Sequence, residues 1–132
     1  MTTTAKRFEE LEIWTKSRSF SKSIYQVFKS TDNHFDRPLA LQIIRSSASV
    51  VDNIAEGFER GGNKEFIQYL WISKASAGEC RSQLYRALDH KVITLSQFNS
   101  LKSEVECISV QLYRLIQHLK ESEFKGHKYN KK

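Results

Sequence analysis

Residues 39–60 read LALQIIRSSASVVDNIAEGFER, and this stretch decides the fold. Leu41, Ile44, Ala48, Val51, Ala55 and Phe58 step three or four apart, with Ile54 beside them, which is the spacing of one buried helix face. Arg45, Ser49, Asp52, Asn53, Glu56 and Arg60 step in the same way on the opposite side. The pattern predicts an amphipathic helix over about 38–59. Asp36 is placed to cap its start, and Pro38 fits its first turn. Gly61 and Gly62 can take the left-handed conformation that ends it.

The same period extends outward on both sides. Upstream, Leu11, Ile13, Trp14, Phe20, Ile24, Val27 and Phe28 predict a helix over about 9–31, with Ser17 and Ser21 leaving room for a close neighbour. Downstream, Asn63 is placed to cap a helix over about 64–90, whose buried side is Phe66, Tyr69, Leu70, Ser73, Ala77, Cys80, Leu84 and Leu88. Gly78 lies in its middle, where glycine costs about 1 kcal/mol against alanine, and close helix packing is one explanation. Thr94 and Gln97 have capping-box spacing. They open a fourth helix over about 95–122, with Phe98, Leu101, Val105, Ile108, Leu112, Leu115 and Leu119 at near-heptad steps. Four long helices joined by short breaks predict an all-α, up-down-up-down antiparallel four-helix bundle over residues 1–124.

The chain has 132 residues with a net charge of +6, one proline and five glycines. So few turn residues argue against a sandwich or barrel. The charge is uneven. Residues 125–132 (KGHKYNKK) hold four of the 21 basic residues and no acid, leaving 17 basic against 15 acidic residues in 1–124. This predicts a disordered basic tail on a nearly balanced bundle. No apolar run reaches the length of a membrane span, and MTTTAKRFEELEIW has no signal-peptide core. Cys80 and Cys107 are too few for a disulfide framework and read as small buried hydrophobes. The expected setting is soluble and cytoplasmic, with no membrane contact.

The residues supply little catalytic chemistry. None of His34, His90, His118 and His127 has a glutamate three positions before it, and no HExxH or nucleotide loop occurs. Ser46, Ser47 and Ser49 lack a spaced base. The expectation is a non-enzymatic protein with no cofactor and no metal site. Arg45, Asn53 and Glu56 are candidates for a polar network at a subunit contact, since charge-assisted bonds fix register. Trp71, Tyr85 and Tyr113 fall off the main stripes and suggest burial against another subunit.

Three segments resemble a known family. NIAEGFERGGNKEFIQYLWISKASAGECRSQL at 53–84 resembles the core signature of the bacterial four-helix bundle proteins encoded in 23S ribosomal-RNA intervening sequences. FEELEIWTKSRSFSKSIY at 8–25 resembles its opening helix, through Leu11, Trp14 and Tyr25. LALQIIRSSASVVDNIAEG at 39–57 resembles its second, through Gln42, Arg45, Ser49, Asn53, Glu56 and Gly57. The resemblance implies a homopentameric barrel with no established enzymatic activity. It also implies kinship with retroelement accessory bundles that bind nucleic acid and a reverse transcriptase. Ile44 stands where the family often has a second arginine, Val51-Asp52 where it often has a proline, and Ala75 where it favours glycine. The lost arginine weakens the borrowed nucleic-acid inference, and the missing proline predicts a straighter second helix but the same fold.

The resulting expectation is an oligomeric ring, a pentamer, that binds RNA or DNA through a basic surface. The candidate contacts are Arg45, Arg60, Lys64, Lys125, Lys128, Lys131 and Lys132. The alternative is an interaction scaffold that docks a protein partner such as a polymerase.

Overall fold

A computed structural model describes the backbone of residues 4–130 and the side chains of residues 4–123. It contains a short 3-10 turn, Phe8–Glu10, and four α-helices: α1 (Glu12–Phe28), α2 (Arg37–Glu59), α3 (Asn63–Asp89) and α4 (Leu95–Asn130). No strand occurs among the described residues. Each helix packs on its sequence neighbours, and α1 also packs on α4, giving an all-α helical bundle.

The helix ends have local causes. Leu11 is extended and buried, so α1 begins at Glu12 and not at Glu9. Phe8 folds back onto Trp14, with ring centroids 5.1 Å apart. The start of α2 differs from expectation, because the Asp36 side chain makes no cap bond. Asn33 organises this turn instead: its Oδ1 accepts from Phe35 N at 2.8 Å, and its carbonyl accepts from Arg37 N at 2.8 Å. Gly61 is left-handed (φ 85°), as the end of α2 requires. Gly62, not Asn63, occupies the cap of α3, and Asn63 is already helical. The capping box of α4 forms reciprocally. Gln97 N donates to Thr94 Oγ1 at 3.1 Å, and Thr94 N donates to Gln97 Oε1 at 2.9 Å.

Two further differences concern length and rotation. Helix α4 continues past its expected end at about 122 to Asn130, into the segment 125–132 expected to be a disordered tail. The segment 121–130 contains no proline, and its one glycine lowers helix propensity without breaking the helix. Lys125 and Lys128 therefore lie on helical backbone, while Lys131 and Lys132 fall outside the described residues. In α2 the buried line is Ala40, Ile43, Ser47, Val50, Ile54 and Gly57. Leu41, Ile44, Ala48, Ala55 and Phe58 are half-buried beside it. The two lines are one residue, about 100° of helix, apart, and both are apolar because α2 is covered on two flanks.

The core is continuous, with Phe20, Ile24, Ile43, Val50, Ile54, Leu70, Leu84, Leu112 and Ile116 fully buried. The α2–α3 seam is the tightest. A Cβ on Gly57 would lie 2.5 Å from Tyr69 Cβ, and Ser73 Oγ donates to the Val50 carbonyl at 2.7 Å. Gly78 does the opposite of what close packing requires, since nothing lies within 4 Å of where its Cβ would be. Cys80 is buried, but Cys107 is exposed.

Candidate nucleic-acid interface

Two of the polar residues of α2 read from the sequence, Ser49 and Arg60, meet partners from α3. At the Gly61 end, Arg60 Nη2 donates to Glu56 Oε2 at 3.1 Å and to Tyr69 Oη at 2.6 Å, and its guanidinium lies 5.1 Å from the Tyr69 ring centroid. The Arg60 and Tyr69 bonds lower the Glu56 carboxyl pKa, and the Glu56 bond raises that of Arg60. Further along, Asn53 Nδ2 donates to the Ser49 carbonyl at 2.8 Å and to Ser49 Oγ at 3.0 Å. Ser49 in turn shares a 2.9 Å hydrogen bond with Ser76. Beyond these lies a shallow cleft of about 300 Å³ lined by Gln42, Arg45, Ser46, Ser49, Glu79 and Gln83. The buried Gln83 Oε1 there has no hydrogen-bond partner.

Arg45, Asn53 and Glu56 thus share one helix face but are not bonded to one another. Arg45 and Asn53 are eight residues, about 12 Å, apart along the axis. Asn53 and Glu56 are each bonded by a neighbour one turn away, Ser49 and Arg60, whereas Arg45 is exposed without an ion pair among the described residues. The sequence reading missed Ser76, Glu79 and Gln83, and it placed the half-buried Tyr69 on the buried side. Tyr69 has a legible signal, because it lies nine residues after Arg60 across a glycine turn, where an exposed arginine can reach its hydroxyl. The others have none within their own helix.

Of the candidate contacts, Arg60 has its charge paired with Glu56. Arg45 and Lys64 are exposed, and neither forms an ion pair among the described residues. The side chains of Lys125 and Lys128 lie outside the description. Among the described residues no cluster of three or more His, Cys, Asp or Glu could hold a metal ion. No helix among them is long and apolar enough to cross a membrane. Trp71, Tyr85 and Tyr113, picked out by their off-stripe positions, are 39%, 47% and 48% exposed along the outer α3–α4 seam.

The solved structure of a protein of unknown function from the S23 ribosomal protein family of Bacteroides thetaiotaomicron is similar to this chain. The TM-score is 0.74 at 26% sequence identity, covering 80% of this chain and 95% of that one. No curated protein matches. The family model described as 23S rRNA-intervening sequence protein matches residues 9–114, which include all of α1 to α3, the α2–α3 polar face and over half of α4. The chain belongs to the 23S rRNA-intervening sequence protein family.

Proposed function

We propose that the protein is a non-enzymatic, up-down-up-down bundle that assembles into a homopentameric ring and binds RNA or DNA through its basic surface. The order of contacts supports the topology. Ser49 meets Ser76, Val50 meets Ser73 and Gly57 meets Tyr69, so residue numbers rise on α2 as they fall on α3. Trp71 meets Tyr113 and Tyr85 meets Phe98 in the same reversed order. The α2 polar face, carrying Arg45, Asn53 and Glu56, is the proposed contact between copies.

One observation carries the nucleic-acid reading: a net charge of +6, in which Lys64, outside the proposed contact between copies, is exposed and unpaired among the described residues. Five copies multiply this to about +30, a field that attracts phosphate backbones with strong salt dependence. Filter binding of structured ribosomal RNA at low and moderate salt tests the reading. Binding should be tight at low salt and fall steeply as salt rises, and deleting residues 125–132 should weaken it while the helical content of residues 4–124 persists. No binding at low salt refutes it. Sedimentation near the 15.4 kDa of one chain across micromolar concentrations refutes the ring.

A further inference from the structure

The outer α3–α4 seam carries two aromatic clusters that the α2 polar face does not use. In the first, Trp71 and Tyr113 are set edge-to-face with centroids 6.4 Å apart, and Lys120 Nζ lies 5.4 Å from the Trp71 ring centroid. In the second, Tyr85 packs against the buried Phe98 with centroids 4.9 Å apart, and Lys102 Nζ lies 6.0 Å from the Tyr85 centroid. Trp71 and Tyr85 are fourteen residues apart on one helix, about 21 Å along its axis. Between them α3 presents Gly78, beside which a Cβ would meet nothing within 4 Å. The seam is therefore a shallow trough with an aromatic–lysine pair at each end.

We infer that this trough binds single-stranded nucleic acid by stacking unpaired bases on Trp71 and Tyr85. The inference rests on the nucleic-acid reading above and assigns it a strand type and a surface. Exposed aromatic rings beside cations are the chemistry of sequence-tolerant single-strand binding: rings take base faces, and ammonium groups take the backbone. Here the edge-to-face partners hold the rings in place before any ligand arrives. A base arriving on Trp71 displaces Lys120 from the ring and frees its ammonium for a phosphate. Lys102 lies beside Tyr85 in the same way, but its 3.4 Å ion pair with Glu106 must be exchanged for a phosphate contact. A second copy of the chain fits this surface less well. Any protein that covers the rings must also desolvate Lys120, for which no ion pair is seen among the described residues, and burying such a charge is costly without a dedicated partner. A nucleic acid brings that partner as a phosphate.

The test uses the full chain with Trp14→Phe, which leaves Trp71 as the sole tryptophan, and titrates a short oligothymidylate or the matching duplex. Single strand should quench Trp71 fluorescence, and duplex should not. Trp71→Ala in the unaltered chain should weaken single-strand binding by about five- to hundredfold. Lys120→Ala should lower the slope of log affinity against log salt by about 0.7. Tyr85→Ser and Lys102→Ala, at exposed or half-exposed positions, repeat the measurement at the other cluster if Trp71→Ala perturbs folding. Tight binding without quenching, and with affinity unchanged in Trp71→Ala and Tyr85→Ser, overturns the trough while leaving the basic-surface reading intact. A drop in assembly mass in Trp71→Ala at unchanged affinity also overturns it and assigns the face to a neighbouring copy. If neither strand type nor structured RNA binds at low salt, both readings fall.

Discussion

Gly57 and Gly78 are both glycines inside long helices, and the structure predicts opposite effects of replacing each with alanine. Glycine in a helix interior costs about 1 kcal/mol against alanine, so both substitutions begin with that gain. At Gly57 the new Cβ would sit 2.5 Å from Tyr69 Cβ and 3.1 Å from Phe66 Cδ1. A Cβ cannot rotate away, so α2 and α3 must separate, which also strains the 2.7 Å Ser73–Val50 bond two turns along. Overpacking of this kind costs typically 1–3 kcal/mol. Because the clash involves a Cβ and not a flexible side-chain end, we take about 2–3 kcal/mol, for a net loss of about 1–2 kcal/mol. At Gly78 nothing lies within 4 Å, so Gly78→Ala should keep its gain of about 1 kcal/mol. Urea unfolding followed by circular dichroism, at one fixed protein concentration because assembly adds to apparent stability, should separate the variants by about 2–3 kcal/mol. Equal or greater stability for Gly57→Ala refutes the tight seam. A loss of stability in Gly78→Ala refutes the open trough.

Three further outcomes follow from the burial pattern. Burial pushes the Cys80 thiol up to about 12, whereas Cys107 is exposed, so a thiol reagent at pH 8 should label one cysteine quickly in the native protein and two after denaturation. Two fast native thiols would contradict the packing of α3. Burial also raises the Glu104 pKa. A carboxyl with a raised folded pKa destabilises the fold when ionised, a cost absent below its unfolded pKa and complete above its folded pKa. Glu104→Gln should therefore stabilise the protein at pH 7 and lose that advantage as pH falls through the carboxylate range, measured by thermal melts across pH. The third concerns α1, whose 17 residues make it the shortest helix. Clefts of about 480, 330 and 360 Å³ lie along the α1–α4 seam, so α1 amides should exchange with solvent before those of α2 and α3. Equal protection would count against this.

The sequence was most legible where one helix line does all the packing. Every apolar position assigned to α4, from Phe98 to Leu119, is buried, and its capping box is formed. Helix α2 was harder because it is apolar on two adjacent lines. The line that enters the core includes Ala40, Ser47 and Gly57, which add little to a hydrophobic pattern, while the half-buried flank carries Leu41, Ile44 and Phe58. Periodicity weighs side-chain size, and the core here rewards small residues that let a neighbour approach, Gly57 toward Tyr69 of α3 and Ser47 toward Ser21 of α1. The expected cap of α3 failed for a similar reason. Gly62 caps α3 through backbone shape alone, with an extended φ of −121°, so the polar Asn63 beside it was the more conspicuous candidate.

The candidate surfaces divide along the same line. The polar row on α2 was readable because Arg45, Ser49, Asn53, Glu56 and Arg60 recur at helical spacing within one helix. What that row does depends on residues with no such pattern. Ser76 joins Ser49, and Tyr69 joins Arg60, only because Gly57 and Ser73 bring the two backbones together. That closeness has a further consequence for α3. With one flank locked against α2, its opposite flank, bearing Trp71, Gly78 and Tyr85, is fixed in orientation and turned toward the outer edge of α4. Its rings are then held by Tyr113 and Phe98 and flanked by Lys120 and Lys102. A glycine that is costly to α2 as a helix is thus what aims the aromatic face of α3, and loosening the α2–α3 seam should disturb both surfaces together.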